Sequence, residues 1–212
     1  MRLFTFITLV ATTLTGNLSA YERGDDLRVK RFVQAYVQAR HKPQVDKVVR
    51  RIVLHKARYQ AVDRKTGVPW YVIGVLHNME SGGSFYHHLH CGGTLNARTR
   101  WVPKGRPKTG KPPFTWEYSA VDALTYDNMG AVRWAYLFDT LWAIERYNGI
   151  GYWKYHRSVP TQYIYSKTSI EKPGKYVADG RWSSTARSKQ IGCGAVFKRM
   201  EDKGILKFSR LK

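Results

Sequence analysis

Acidic residues and cysteines are both scarce in this chain of 212 residues. It has 15 Asp and Glu residues against 36 Lys and Arg, a formal net charge of +21, and two cysteines. No carboxylate occurs between Glu80 and Glu117. The sequence also lacks the His-Glu-x-x-His pattern of many zinc enzymes, a recognised nucleic-acid motif, a repeat and a linker. A single domain is therefore the simplest interpretation, and motif-based zinc or nucleic-acid functions find no support.

One apolar run near the start of the chain indicates export. A basic first dipeptide is followed by apolar residues from Leu3 through Thr15 and by small residues up to Ala20. This order predicts a secretory signal peptide over residues 1–20. The run is too short and too rich in Thr to favour a spanning helix, although an uncleaved anchor or a buried first helix is an alternative. We expect a secreted or periplasmic protein whose mature part is 21–212.

The two cysteines fit an oxidising compartment because their number is even. We predict a disulfide between Cys91 and Cys193, which would join the loop after Glu80 to the C-terminal tail. Two separate buried thiols are the alternative, since a sequence does not show proximity.

Periodicity predicts a mainly α (α+β) fold with a small irregular or β lobe. Apolar residues recur at helical spacing and basic residues occupy the opposite faces. The predicted helices are 26–41, 43–66, 68–80, 116–129, 132–147 and a last short one at Cys193–Asp202, within a basic tail. The segment 81–115 is rich in Gly and Pro and predicts an irregular lobe that contains a short β-like stretch at Leu95 to Val102 and a small hairpin, while 152–180 predicts loops.

Glu80 stands out because it ends an apolar helical run and is followed at once by Ser81-Gly82-Gly83. The paired glycines end the helix directly after the carboxylate. Apolar neighbours and the negative end of the helix dipole should both raise the pKa of this carboxyl. A protonated acid near neutral pH can protonate a leaving group. The alternative is an ordinary solvated helix end.

Several segments resemble a known enzyme group in order along residues 60 to 180. They begin with Gly67-Val68-Pro69, His77-Asn78-Met79-Glu80-Ser81, Phe85 and His88-Leu89-His90, and continue with Leu95-Asn96-Ala97-Arg98-Thr99, Gly105-Arg106-Pro107, Pro112 to Glu117, Ser119 to Leu124, Tyr147 to Tyr152 and Gly174 to Gly180. Together they are similar to bacterial and phage muramidases of the lysozyme superfamily, near goose-type lysozymes and lytic transglycosylases. Some predatory-bacterium lysozymes that act on de-N-acetylated glycan also look similar.

The resemblance implies a lysozyme-like fold and cleavage of the β-1,4 bond between N-acetylmuramic acid and N-acetylglucosamine, with Glu80 as general acid. It implies a lytic transglycosylase, which gives anhydro products, as an alternative. The residues expected to bind substrate are Ser81, Tyr86, His90, Thr99, Trp116, Tyr147 and Asn148. An aromatic ring can stack on a sugar and an amide can bind an acetamido group, although Asn148-Gly149 also suits a simple turn after a helix.

One departure concerns the second carboxylate that glycoside hydrolysis usually needs. Relatives often carry Asp where this chain has Gly93. Glu117 is a candidate, but an acid in the first turn of a helix capped by Thr115 is favourable for dipole reasons alone. Thr99 or His90 could instead orient a water. The departure leaves hydrolysis and transglycosylation both open.

The histidine cluster and the positive charge bear on other possible functions. His87, His88, His90 and Cys91 have metal-ligand residue types but lack a convincing acidic ligand, so we expect neither a metal nor another cofactor. The positive charge suits polyanions, and anionic wall polymers are a better match than nucleic acid for an exported protein. We expect a monomer whose partners are peptidoglycan strands and these polymers. A non-catalytic wall-binding module is the rival from another class.

Overall fold

A computed structural model describes residues 26–209 of the chain. The predicted signal peptide, residues 1–20, lies outside the described residues. The helices are α1 Leu27–Gln34, α2 Lys42–Leu54, α3 Lys56–Thr66, α4 Trp70–Ser81, α5 Trp116–Tyr126, α6 Leu137–Asn148, α7 Gly151–Tyr155, α8 Gln162–Tyr165 and α9 Cys193–Asp202. The antiparallel strands β1 Lys175–Ala178 and β2 Arg181–Ser183 form a two-stranded sheet. The prediction of a mainly α fold with a small β part is confirmed.

Helix α4 lies in the middle of the core. Val72, Ile73, Val75 and Leu76 have no exposed surface, and buried residues occur on nearly every side of the helix. Helices α2, α3 and α9 pack against it. Because the helix is apolar over most of its length, its position is set by burial and not by one amphipathic face. Its last turn therefore emerges from the core at a fixed place.

The predicted helices 116–129 and 132–147 are shorter in the structure, at Trp116–Tyr126 and Leu137–Asn148, and two earlier predicted helices differ more. The segment 26–41 is helical only to Gln34, and Val37 then forms an antiparallel bridge with Thr168. The segment 43–66 is two helices that meet at His55, where the backbone leaves helical geometry. In both places contacts made elsewhere in the chain override the local pattern, and neither break is marked by Gly or Pro.

The β-like stretch predicted at Leu95 to Val102 is not a strand, and within 81–115 the β structure is an isolated antiparallel bridge between His87 and Thr94. The backbone N–H of Leu95 donates to the Tyr86 carbonyl, and that of Thr99 donates to the Arg106 carbonyl. These bonds close loops, so the segment lacks the continuous partner that a strand requires. The sheet lies instead at 175–183, within and just beyond a region predicted as loops, which also contains α7 and α8.

The backbone of α8 is in direct contact with the backbone at the start of α9. A side chain at Gly192 would clash with the carbonyl group of Ile164, and one at Gly194 would meet the same oxygen at 2.8 Å. The Gly192 N–H donates to the carbonyl of Ser166 at 3.1 Å. The absence of a Cβ at both positions is what allows this contact.

Near its end the described chain returns to the core, where Phe208 packs against Phe32 and Phe197. None of the helices within 26–209 combines the length and the apolar character that crossing a bilayer requires.

Candidate active site

Glu80 lies in the last turn of α4, and its side chain is almost enclosed, with 8% of the residue exposed. The helix ends at Gly82, which adopts the left-handed conformation with φ 63°. The N–H groups of Gly82 and Gly83 bind the carbonyls of Asn78 and His77, which satisfies the end of the helix. The sequence prediction of a helix that ends at this carboxylate is confirmed to within one residue.

The carboxylate is held from across the fold. The hydroxyl of Tyr163 on α8 donates a 2.9 Å hydrogen bond to Oε1 of Glu80. A hydroxyl that donates to a carboxylate favours the charged form, whereas enclosure favours the neutral form.

The backbone around Glu80 is equally constrained. The side-chain amide of Gln190 donates to the Met79 carbonyl at 2.8 Å. Gly92, with φ 70°, lies against the Glu80 carbonyl, and a Cβ there would come within 2.6 Å of that oxygen. The loop after α4 and the segment before α9 therefore both contact the end of α4 and restrict its backbone.

An open cleft lies beside Tyr163. It has a volume of about 680 Å³, including the solvent at its mouth. The lining residues are Asn148, Gly149, Gly151, Tyr152, Gln162, Tyr163, Lys175, Tyr176, Gly180, Ser188 and Gln190. Because Tyr163 both lines the cleft and binds Glu80, the acid lies next to this cleft.

Aromatic rings support one wall of the cleft. Tyr176 of β1 packs edge-on against Tyr152 and against Trp182 of β2, with ring centroids 5.9 and 5.2 Å apart. The ring of His156 stacks on Trp182 at 3.5 Å. The Tyr152 hydroxyl donates to the Gly174 carbonyl at 3.0 Å, which joins α7 to the hairpin. Flat, partly polar rings of this kind suit the faces of sugars.

Three amide side chains line the same cleft, and they differ in whether their hydrogen-bonding groups are already used within the protein. Gln162 is used structurally, since it donates to the Lys172 carbonyl and accepts from the Ser188 N–H. Gln190 donates to Met79 but keeps its amide oxygen available, and the amide of Asn148 has no hydrogen-bond partner within the described part of the chain. Asn148 and Gln190 can therefore bind a polar ligand group without first losing an internal bond.

Three of the predicted binding residues line the cleft, follow Glu80 in the chain or precede a cleft residue. Asn148 lines the cleft, as expected. Ser81 follows Glu80, but its hydroxyl donates back to the His77 carbonyl at 3.2 Å. Tyr147 is buried, and its hydroxyl donates to the Leu89 carbonyl at 3.2 Å. The hydroxyls of Ser81 and Tyr147 are thus bonded to backbone carbonyls, and neither residue lines the cleft.

The other predicted binding residues lie elsewhere, so the structure does not support their role. Trp116 is 1% exposed and belongs to the core, and Thr99 is buried with its hydroxyl bonded to the Pro103 carbonyl. His90 is fully buried, and its Nε2 lies 2.7 Å from Asp122. Tyr86 is 81% exposed but does not line the cleft. None of these four residues is among those that line the cleft.

The competing catalytic candidates have structural partners. Glu117 lies in the first turn of α5, capped by Thr115, and its carboxylate pairs with Arg58 at 2.5 Å. His88 lies 2.7 Å from the Ser119 hydroxyl and 2.8 Å from the Ala97 carbonyl. Within residues 26–209 no three His, Cys, Asp or Glu side chains are grouped so that they could hold a metal ion.

The predicted disulfide is not present. Both cysteines are described, and no S–S bond joins Cys91 to Cys193. Cys193 is fully enclosed at the start of α9, where burial and then the charge of Glu80 raise the pKa of its thiol. The thiol form of Cys193 is therefore strongly favoured. Cys91 is only partly buried, so the alternative of two buried thiols fits Cys193 alone.

Several cleft residues were not found from the sequence. Tyr163, Gln162 and Gln190 had no role assigned, because their motif-free surroundings gave no signal. Tyr152 and Tyr176 lie inside two of the segments on which the resemblance was based, and these segments meet at the cleft. The presence of Tyr152 and Tyr176 within these segments was the sequence signal from which they could have been identified.

No family model, curated protein or solved structure matches this chain. The likeness to lysozyme-superfamily muramidases therefore depends on the quoted motifs alone.

Proposed function

We propose that this chain cleaves the glycan strands of peptidoglycan, with Glu80 as the general acid that protonates the glycosidic oxygen. The observation that carries the proposal is a nearly enclosed carboxylate beside an open cleft of aromatic and amide side chains. Tyr163 connects the two through its bond to Oε1. Tyrosine rings and free amides are suited to the faces and acetamido groups of amino sugars.

The charge of the protein supports the same substrate. With a net charge of +21, the chain attracts polyanions, and the bacterial wall carries peptide carboxylates and anionic polymers. Attraction to the wall would concentrate the enzyme on its insoluble substrate. The basic residues would promote encounter with the wall, while the cleft would bind the glycan and Glu80 would protonate it.

A matched pair of variants tests the proposal. Glu80→Gln should reduce release of soluble muropeptides from purified sacculi by at least about a hundredfold, the lower range for loss of a general acid, while sedimentation with sacculi is unchanged. Glu201→Gln removes a carboxylate that does not line the cleft and should retain activity. Full activity of Glu80→Gln would exclude Glu80 as the acid. Wall binding without cleavage by the wild-type protein would favour a non-catalytic binding module.

Formation of anhydro products is the second candidate, and one observation favours it. None of the cleft-lining side chains within the described residues is a carboxylate. Without a second acid to serve as nucleophile or base, the sugar's own hydroxyl can close an anhydro ring while Glu80 acts first as acid and then as base. Mass spectrometry separates the outcomes, because hydrolysis gives reducing muramyl ends and transglycosylation gives anhydro ends.

A further inference from the structure

The cleft contains one charged lining residue among those that the structure describes, Lys175 at the first position of β1. The residue is half-buried, and within 26–209 no acidic side chain pairs with its ammonium group. The other lining residues are tyrosines, amides, a serine and glycines. A cation in a partly enclosed cleft interacts more strongly with a ligand charge than a cation in open solvent does.

We propose that Lys175 is a specificity-determining residue that binds a carboxylate carried by the substrate. The inference rests on the proposed glycan cleavage and names the class of glycan. In wall glycan every second sugar carries a lactyl ether, whose carboxyl group is either free or extended by an acidic stem peptide. Chitin-type glycan has the same ring and acetamido group without the carboxylate. Lys175 would therefore distinguish muramyl strands from neutral N-acetylglucosamine strands.

The same charge selects against free amines. A de-N-acetylated sugar carries an ammonium group, which would lie in a cleft whose charged lining residue is also a cation. Like charges at close range are unfavourable, and a protonated Glu80 would offer no compensating charge. An N-acetyl group, in contrast, can bind the available amides of Asn148 and Gln190. The cleft therefore favours N-acetylated strands that carry carboxylates.

The test compares Lys175→Met with wild type on three N-acetylated glycans. These are strands with stem peptides, strands stripped of peptide so that the lactyl carboxylates are free, and N-acetylglucosamine oligomers. KM for the carboxylate-bearing strands should rise about fivefold, as expected for loss of one partly exposed ion pair, with little change in kcat. KM for the neutral oligomers should not change. A rise confined to one kind of muramyl strand identifies the carboxylate as lactyl or as peptide.

Two further variants control for general charge effects. Lys154→Met removes the same charge from an exposed position outside the cleft and should leave the preference unchanged. Lys175→Glu should lower activity on muramyl strands and raise the relative rate on chemically de-N-acetylated strands. Equal changes on charged and neutral glycans, or the same effect in Lys154→Met, would overturn the inference. Wild-type inactivity on all three glycans would instead overturn the proposed function.

Discussion

The hydroxyl of Tyr163 donates to Oε1 of Glu80 across 83 positions of sequence. This bond joins α8 to the end of α4 and connects the acid with the cleft. It is the contact on which the proposed chemistry depends most directly, because it orients the carboxylate and influences its proton affinity.

Replacing Tyr163 by Phe keeps the ring and removes the hydroxyl. Because the lost bond favours the carboxylate form, Tyr163→Phe should move the alkaline limit of the pH–rate profile to higher pH, and it should lower kcat about tenfold through poorer orientation of the acid. Tyr155→Phe, at an exposed tyrosine of the same region, is the control and should behave as wild type. An unchanged profile in Tyr163→Phe would contradict the role assigned to this bond.

Two adjacent glycines in the loop after α4 should respond differently to alanine. Gly92 has φ 70° and leaves no room for a Cβ, which would lie 2.6 Å from the Glu80 carbonyl. At Gly93 the nearest atom to an added Cβ is the Cys91 sulfur, at an ordinary 3.7 Å. Gly92→Ala should cost about 1–3 kcal/mol of unfolding free energy and reduce activity, whereas Gly93→Ala should be near neutral. Urea denaturation measures both, and equal losses would refute the distinction.

His77 should make the fold sensitive to acid. Burial lowers the pKa of its ring from 6.5 to about 4. The unfolded chain therefore binds a proton at a higher pH than the folded chain does, and stability falls as the pH decreases from about 7 to 4, by roughly 3 kcal/mol from this residue. Below pH 4 both states are protonated and the residue adds no further loss.

Urea denaturation at pH 7 and pH 4 measures this effect. His77→Gln should lose that part of the pH dependence even if it is less stable at neutral pH, while His87→Gln serves as the comparison. A pH dependence that is the same in His77→Gln as in the wild-type protein would show that another group is responsible.

Alkylation of the cysteines tests whether Cys91 and Cys193 are joined by a disulfide. Protein that is denatured without reductant should take up two alkylating groups, because no disulfide joins Cys91 and Cys193. In the native protein Cys193 should react far more slowly, since it has no exposed surface and burial raises the pKa of its thiol. Mass spectrometry counts the labels, and absence of labelling after denaturation would indicate a disulfide after all.

The parts of the fold that the sequence predicted correctly carry strong local signals. Helix α9 has the predicted bounds, Cys193–Asp202, and α4 ends where paired glycines follow Glu80. The break at His55 has no such signal, since it depends on how α2 and α3 pack. The β-like stretch at Leu95 to Val102 does not form a strand because β propensity does not supply a partner strand.

The site was predictable to the extent that its residues lie near Glu80 in sequence or within motifs. Burial could not be read from residue type, because Trp116 and His90 have residue types that bind sugars but are enclosed by the fold. Tyr163 could not be found, since periodicity and composition do not encode a hydrogen bond between two distant helices. Glu80, which accepts this hydrogen bond, stood out in the sequence, whereas Tyr163, which donates it, did not.

The backbone contact between α8 and α9 gives two glycines an indirect influence on the acid. Any side chain at Gly192 or Gly194 would push against Ile164, which is the immediate neighbour of Tyr163. A bulkier residue there would displace the hydroxyl that reaches Glu80 even though neither glycine lines the cleft. The close packing of these two backbone segments therefore helps to set the position of the Tyr163 hydroxyl that donates to Glu80.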